Sequence, residues 1–383
     1  MQLILNEEQQ ILAGTAASFA KDSGGVARFR ALRDGLSNDP HKRAYSKDVL
    51  ARMAEIGFTS IAFDEKDGGL GLGMASLVIV TEALGRVLAP EPIVPSLLAA
   101  QAIAIGGSDA LKQATLEGVL AGTSVLALAQ SERGTRYHLH TVALKAERSA
   151  DGFVLGGDKV HVWGGFEADG YVVSARTSGR PNDLKGISLF YVPANTAGVS
   201  ATAETRVDSQ NAATVRFANV TVKASSMIGA EGEGLAILER ATERATVALC
   251  GEMLGGMSEA FERTVEYLKE RKQFGVAIGT FQALKHRAAR MYVEIELARS
   301  SVMAAARAVD EDSEEASLLV SLAKARLSDA YCLITNEAVQ MHGGIGMTDE
   351  HEIGFFMKRA KAAELTFGDS AFHRDRFAKL SGY

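Results

Sequence analysis

The segment from Glu270 to Gln282, ERKQFGVAIGTFQ, combines residue types that suit a large, flat, phosphate-bearing cofactor. It carries an arginine (Arg271), an aromatic residue (Phe274), two glycines and a glutamine between two long helical patterns. Arginine forks onto phosphate oxygens, glycine allows close approach to the backbone, and an amide can hydrogen bond to the edge of a heterocycle. A charged helix end followed by a glycine turn is also typical of a simple C-cap, so both interpretations stay open for this segment alone.

Two glycine-rich junctions in the tail have a similar character. One is QMHGGIGMTDEH (Gln340–His351), which ends a long helical pattern. The other is AELTFGDSAFHR (Ala363–Arg374), in which Gly368 stands immediately before Asp369 and Ser370. Each junction alone indicates helix capping followed by a turn. Three such junctions in one helical region beside a β-domain favour a cofactor site.

Histidine pairs are weaker candidates for chemistry. His138 and His140 would share one face of a strand, but no third metal ligand is near them in the sequence, and a solvated loop or strand edge is the alternative. His342, Glu350 and His351 do not form the HExxH pattern of a zinc site. We therefore predict no metal site.

Composition and charge are those of an ordinary soluble globular protein, with 383 residues, 47% hydrophobic and 23% charged residues, and a net charge of −6. This acidic balance, without a basic tract, argues against a nucleic-acid partner. The N-terminus lacks the features of a signal peptide and no uncharged apolar run is long enough to span a bilayer, so we expect a cytoplasmic protein without a membrane segment. Cys250 and Cys332 are predicted to be buried, reduced thiols.

The periodicity of apolar residues changes twice along the chain, which predicts an α+β multidomain fold. Residues 1–122 show helical patterns, beginning with Asn6 as an N-cap. Residues 123–230 contain short runs with period-two alternation, which predict a middle antiparallel β-domain. Residues 231–383 return to long helical patterns without a proline, which predicts a C-terminal four-helix bundle.

Three local expectations follow from the same patterns. Val142, Leu144 and Ala146 should face one side of a strand over Thr141–Glu147. The prolines from Pro90 to Pro95 should interrupt regular structure before a helix that starts at about Ser96. The glycine cluster GGLGLG after Asp67 follows no predicted strand, so it indicates a loop rather than a dinucleotide-binding turn.

The chain resembles the acyl-CoA dehydrogenases, a family of flavoenzymes, over essentially its whole length. Three motifs carry the resemblance in the family's order: AQSERGT (Ala129–Thr135), RKQFG with FQ (Arg271–Gly275 and Gln282), and QMHGGIG (Gln340–Gly346). The N-terminal and tail segments are most similar to the smaller subunits of heteromeric members, such as the small subunit of pimeloyl-CoA dehydrogenase and the paired steroid-side-chain dehydrogenases. The resemblance implies helical, β and four-helix-bundle domains, with FAD extended between subunits.

The resemblance also implies which residues contact FAD. Arg271 and Gln282 would contact its pyrophosphate and adenosine part, and the Gln340–Gly344 segment would contact it across a dimer interface. Ser131 would face the flavin ring, and Trp163 lies in the corresponding flavin-packing strand, although the family's tryptophan falls nearer His161. The complete set of predicted cofactor contacts is Ser131, Trp163, Arg271, Phe274, Gln282, Gln340, His342, Gly343, Gly344, Asp369 and Ser370.

Both positions at which family members carry the catalytic glutamate hold residues that cannot accept a proton. The residue before Gly368 is Phe367, and the position on the first bundle helix, counted without gaps from RKQFG, is Ala245. Glu243, followed by an arginine, repeats the family's glutamate–arginine pair two residues earlier. Since two residues turn a regular helix by about 200°, Glu243 is the base only if that helix bulges or the alignment is offset. Asp369 is a second candidate.

Each of these candidates has a structural alternative. Glu243 would otherwise be a solvated side chain paired with Arg240 or Arg244. Asp369 would otherwise be a helix cap.

The missing bases predict that this chain is one subunit of a heteromer whose larger partner supplies the base, while this chain keeps at least part of the FAD site. The implied substrate is an acyl-CoA and the implied electron acceptor is an electron-transferring flavoprotein. Two alternatives stay open. One is a non-catalytic subunit that completes a partner's active site, and the other is an acyl-CoA oxidase.

Overall fold

The computed structural model describes residues 5–39 and 44–383. These residues form two compact units. One comprises Met1–Ala31, Met74–Ala89 and Thr246–Tyr383, and the other comprises Leu32–Gly73 and Pro90–Ala245. The domain boundaries drawn from the sequence, 1–122, 123–230 and 231–383, stay a prediction.

The N-terminal part is helical, as predicted. Its first helix is fixed by a capping box: the Asn6 side chain accepts a hydrogen bond from the Gln9 N–H, and the Gln9 side chain accepts one from the Asn6 N–H. Asn6 is therefore the N-cap that the sequence predicted. The helices are α1 (Glu7–Asp22), α2 (Gly25–Asn38), α3 (Lys47–Glu55), α4 (Gly73–Arg86), α5 (Ile93–Gly106) and α6 (Asp109–Leu120).

The proline-rich segment differs from the prediction. Helix α5 begins at Ile93, three residues before the expected start, and Pro95 lies within its first turn. The first amides of a helix have no intrahelical acceptor, so a proline in this turn removes no helical hydrogen bond. The loop predicted around GGLGLG is confirmed, since Gly68 follows a short 3₁₀ turn (Glu65–Asp67) rather than a strand.

The middle part is a sheet in the order β6-β7-β3-β2-β4-β5-β8, with β1 added beside β4. The β1–β4 and β2–β4 pairs are parallel, so the antiparallel prediction holds for the other pairs and is wrong for these two. Strand β4 is buried along its whole length, which is typical of a strand with parallel neighbours. The strands are β1 (Leu126–Ala129), β2 (Lys145–Ser149), β3 (Gly152–Trp163), β4 (Gly170–Arg176), β5 (Ile187–Pro193), β6 (Val199–Ala203), β7 (Ala212–Lys223) and β8 (Met227–Ile228).

The predicted alternation around β2 is confirmed. Val142, Leu144 and Ala146 are buried, whereas Lys145 and Glu147 are exposed. The regular strand itself starts only at Lys145. Leu144 and Ala146 join a sheet core that includes Leu155, Val173, Phe190 and Val215, the last four without solvent exposure.

The C-terminal part is the predicted helical bundle. It consists of α7 (Gly234–Glu270), α8 (Gln282–Asp310), α9 (Ala316–His342), α10 (Ile353–Leu365) and α11 (Ser370–Leu380), with a small hairpin of β9 (Lys272–Gln273) and β10 (Val276–Ala277) between α7 and α8. Helix α9 packs against α8, α10 and α11. A Cβ atom on Gly256 of α7 would lie 2.1 Å from the Tyr331 hydroxyl of α9, so these two helices approach closely because this residue is glycine.

Within residues 5–39 and 44–383, no helix is both long and apolar enough to cross a membrane. In the same residues, no group of three or more His, Cys, Asp or Glu side chains is arranged to hold a metal ion.

Candidate cofactor site

The segment between α7 and α8 forms an exposed hairpin that carries Arg271, Phe274 and Gly275. Phe274 and Gly275 form its two-residue turn with φ values of 55° and 82°, the backbone of a type I′ turn. A phenylalanine with positive φ is strained, and this one leaves 91% of its surface exposed. Strain retained at an exposed aromatic residue is typical of a functional segment.

Helix α8 begins after a short 3₁₀ turn (Ile278–Thr280) that follows this hairpin. Gln282 is its first residue, and the preceding Phe281 provides no side-chain cap. The uncapped N–H groups and the positive end of the helix dipole favour an anion. Arg271 lies between α7 and the hairpin, is exposed, and its side chain forms no ion pair with any described residue. An exposed arginine and a helix N-terminus without a side-chain cap are both suited to a phosphate.

The QMHGGIG segment ends α9, and its residues lie in different environments. Gln340, Gly343 and Gly344 are exposed, and a Cβ atom added to either glycine would meet no other atom within 4 Å. This surface is therefore open to a ligand that runs along the backbone.

His342 lies inside the bundle instead. Its Nδ1–H donates to the Ala338 carbonyl at 2.7 Å. Its ring stacks on Tyr267 and contacts the tilted ring of His351, with centroids 4.5 Å away in both cases. Burial lowers the pKa of His342 below its ordinary value, and the neighbouring His351 and Arg263 lower it further. A direct cofactor contact of His342 stays a prediction, and the geometry shows a packing role.

The tail junction is a strained turn between α10 and α11. Phe367 and Gly368 have φ values of 60° and 118°. The Asp369 side chain accepts a hydrogen bond from the Phe372 N–H at 2.9 Å and so caps α11, whose first residue is Ser370. The capping alternative for Asp369 is confirmed, while its contact with a cofactor, like that of Ser370, stays a prediction.

The positions expected to hold a base contain none. Phe367 is half-buried and Ala245 is fully buried. Helix α7 is α-helical without interruption from Gly234 to Glu270, so it lacks the bulge that would bring Glu243 into the place of Ala245. Glu243 is half-buried, and its role as the base stays a prediction that now depends on an alignment offset alone.

Ser131 follows β1 and precedes Glu132, a member of a largely buried ion pair that the sequence did not reveal. The Ser131 carbonyl accepts a hydrogen bond from the Val160 N–H at 2.8 Å. Next to it, the fully buried Lys159 ammonium contacts the Glu132 carboxylate at 2.7 Å and the Gln130 carbonyl at 3.0 Å. Burial lowers the pKa of Lys159 to about 8. A lysine at an inward position of an alternating strand was the available signal.

Trp163 and His161 differ in exposure. Trp163 is half-buried, with the Arg206 guanidinium carbon 5.6 Å from its ring centroid. His161 is exposed, has a φ of 53°, and its Nδ1 lies 2.6 Å from the Glu204 carboxylate. Burial raises the pKa of Glu204, but hydrogen bonds from Thr214 and His161 lower it by more, so the pKa lies below its ordinary value. His161 is therefore the fixed, accessible ring, and the assignment of either ring to a flavin stays a prediction.

His138 and His140 lie in an irregular segment before β2, so their predicted placement on one strand face is wrong and the loop alternative holds. The rings of His138 and His140 lie 5.4 Å apart. Both cysteines are free thiols; Cys250 is buried, as predicted, whereas Cys332 is only half-buried.

The predicted cofactor residues lie in both compact units, with Ser131 and Trp163 in one unit and the others in the second.

Comparison with known proteins assigns the family. The acyl-CoA dehydrogenase N-terminal, middle and C-terminal domain models match residues 6–123, 127–220 and 232–381. Cyclohex-1-ene-1-carbonyl-CoA dehydrogenase of Geobacter metallireducens is 31% identical over 340 residues, which are 86% of this chain and 87% of that protein. The chain belongs to the acyl-CoA dehydrogenase family.

Solved acyl-CoA dehydrogenase structures agree with this assignment. Butyryl-CoA dehydrogenase of Megasphaera elsdenii superposes with a TM-score of 0.90 at 25% identity, covering 100% of both chains. A chain of the ChsE4-ChsE5 complex of Mycobacterium tuberculosis superposes with a TM-score of 0.89 at 26% identity, also covering 100% of both. The predicted fold class and the resemblance stated from the sequence are confirmed.

Proposed function

We propose that this chain is an FAD-bearing subunit of a heteromeric acyl-CoA dehydrogenase, in which a larger partner subunit supplies the catalytic base. The observation that carries the proposal is the combination of an open cofactor surface with Phe367 and Ala245 at the two base positions. The similarity to a chain of the ChsE4-ChsE5 complex, which contains two different subunits, supports the heteromeric part.

The residues present fit FAD. The exposed Arg271 and the uncapped start of α8 would hold its phosphates, and Gln282 would lie beside them. Gln340, Gly343 and Gly344 offer an open backbone surface along which the cofactor can extend. When bound, FAD supplies the hydride acceptor for the α,β-desaturation of a CoA thioester.

The remaining step needs a group that this chain lacks. Desaturation removes an α-proton as the β-hydride leaves, and a positioned base contributes about 10²–10⁴-fold to such a step. The Phe367 side chain contains no atom that can take this proton. We therefore propose that the partner subunit supplies the base. We further propose that an electron-transferring flavoprotein is the electron acceptor.

An oligomer is also supported by the surface of α8. Tyr292, Val293 and Leu297 expose 54%, 54% and 51% of their surfaces, although they follow one another on a helix of the bundle. Exposed apolar residues grouped in this way mark a protein contact. A cytoplasmic location belongs to the same proposal, because both cysteines are free thiols.

The test is to purify the chain alone and after co-expression with a larger acyl-CoA dehydrogenase subunit encoded beside it. We expect a flavin absorption spectrum in both preparations, and acyl-CoA-dependent reduction of an artificial dye only in the second. A chain that acquires no flavin even with the partner would instead be a structural subunit. Peroxide release under air in place of dye reduction would indicate an oxidase.

A further inference from the structure

Lys324 lies on α9 with its side chain fully enclosed in the bundle. Its ammonium group donates to the Ser328 hydroxyl at 3.1 Å, to the Glu364 carbonyl at 3.0 Å and to the Gly368 carbonyl at 2.7 Å. An ammonium has three N–H donors, so all of them are used. Two of the three acceptors are backbone carbonyls on either side of the turn between α10 and α11.

That turn adopts a backbone that needs external support. Phe367 has positive φ, which is costly for a residue with a Cβ atom. At Gly368, an added Cβ atom would lie 2.4 Å from Phe372 Cδ1 and 2.8 Å from His373 Nε2, so only glycine fits. The surrounding contacts must therefore hold the turn in this conformation.

A second buried side chain holds the adjacent carbonyl. The Nε2–H of His373, on α11, donates to the Phe367 carbonyl at 3.1 Å, and this histidine is 3% exposed. The two consecutive carbonyls of the strained dipeptide are thus held by Lys324 from α9 and by His373 from α11.

Burying a lysine costs free energy that an apolar side chain of similar size would not cost. The cost is visible in the pKa of Lys324, which burial lowers to about 8. A buried cation whose hydrogen bonds go to one turn is explained if the conformation of that turn matters.

We propose that Lys324 is a positioning residue of the cofactor site, which sets the turn that presents Asp369 and Ser370. The inference rests on the proposed function, because only that proposal assigns these two residues to FAD. Lys324 acts through the Glu364 and Gly368 carbonyls and touches neither the cofactor nor the substrate.

The test compares Lys324→Met with Lys361→Met in the full-length, FAD-loaded protein. Lys361 is an exposed lysine on α10 whose ammonium contacts the Glu364 carboxylate at 2.6 Å, so its variant removes a lysine from the same neighbourhood without touching the turn. Hydrogen–deuterium exchange of peptides over residues 364–372 reports the turn, and titration with FAD reports the site.

We expect Lys324→Met to raise exchange in this turn and to weaken FAD binding about tenfold, which corresponds to the loss of about one hydrogen bond. Lys361→Met should change neither. Lys324→Gln, which keeps N–H donors at its end, should give a smaller effect in the same direction and serves as the test if the methionine variant does not fold.

Three results would overturn the inference. Unchanged exchange in the turn would show that Lys324 does not hold it. An equal increase of exchange throughout the bundle would show a general structural role. Increased exchange in the turn with unchanged FAD affinity would show that the conformation of the turn does not affect FAD binding. If the wild-type chain binds no FAD at all, the proposed function fails, while the exchange measurement still decides whether Lys324 fixes the turn.

Discussion

The variant Phe367→Glu is expected to give this chain, without a partner, an acyl-CoA dehydrogenase activity. Phe367 is a half-buried residue in the tail turn with a φ of 60°. Glutamate carries the same Cβ atom and meets the same backbone strain, so the substitution adds none. The Lys324 and His373 hydrogen bonds go to main-chain carbonyls and stay available in the variant.

The size of the effect follows from what a positioned base contributes. General base catalysis provides about 10²–10⁴-fold, so the rate of the variant should exceed the wild-type rate by about a hundredfold or more. Loss of a half-buried phenyl ring costs about 1–2 kcal/mol, which is small beside a typical unfolding free energy of about 5–15 kcal/mol. The variant should therefore remain folded.

The assay is the anaerobic reduction of an artificial dye with a panel of CoA thioesters, at matched flavin content. Phe367→Gln is the control, because glutamine has the size of glutamate and cannot accept the proton. If the glutamate variant retains its flavin and still reduces the dye no faster than the glutamine variant, the reasoning that only a base is missing is refuted.

Further predictions concern the cofactor surface and the buried charges. Arg271→Ala should weaken FAD binding about 10–100-fold in a fluorescence titration, whereas Lys272→Ala on the same exposed hairpin should have little effect. Lys159→Met should lower the unfolding free energy in urea by about 3–5 kcal/mol, because it leaves the largely buried Glu132 carboxylate without its cation; a loss below about 1 kcal/mol would contradict this. Burial lowers the pKa of His373 from 6.5 to about 3, and the positive charge of Lys324 is the next largest cause. Between pH 6.5 and pH 3 this histidine therefore binds a proton in the unfolded chain but not in the folded chain. Stability therefore falls as the pH falls below about 6.5, and by pH 5 wild type should lose about 2 kcal/mol relative to His373→Gln; parallel pH profiles would exclude this titration.

Much of the fold could be predicted from local patterns. Asn6 was identified as an N-cap because a capping box is a local sequence signal. The long helices α7, α8 and α9 lie in the region 231–383 where long helical patterns predict them, because apolar periodicity without proline is a local signal. The parallel β1–β4 pair was missed, since pairing between strands distant in sequence leaves no local pattern.

The candidate site was only partly accessible from the sequence. The two motifs that contain Arg271 and Gly343 pointed to the open surface. Arginine binds phosphate and glycine allows close approach to the backbone, and both properties can be read from the sequence. The burial of His342 and the contacts of Lys324 and Lys159 depend on tertiary packing, which a motif does not encode. A lysine within an apolar pattern at an inward position was the one signal that could have directed attention to both lysines.

We propose that this chain holds FAD but cannot itself remove the substrate proton. The most direct test of this proposal is the anaerobic titration of the FAD-loaded chain with acyl-CoA, while the flavin absorbance is followed. We expect the flavin of the isolated chain to stay oxidised and to bleach when the larger partner subunit is present. Bleaching of the isolated wild-type chain at ordinary enzyme rates would contradict it.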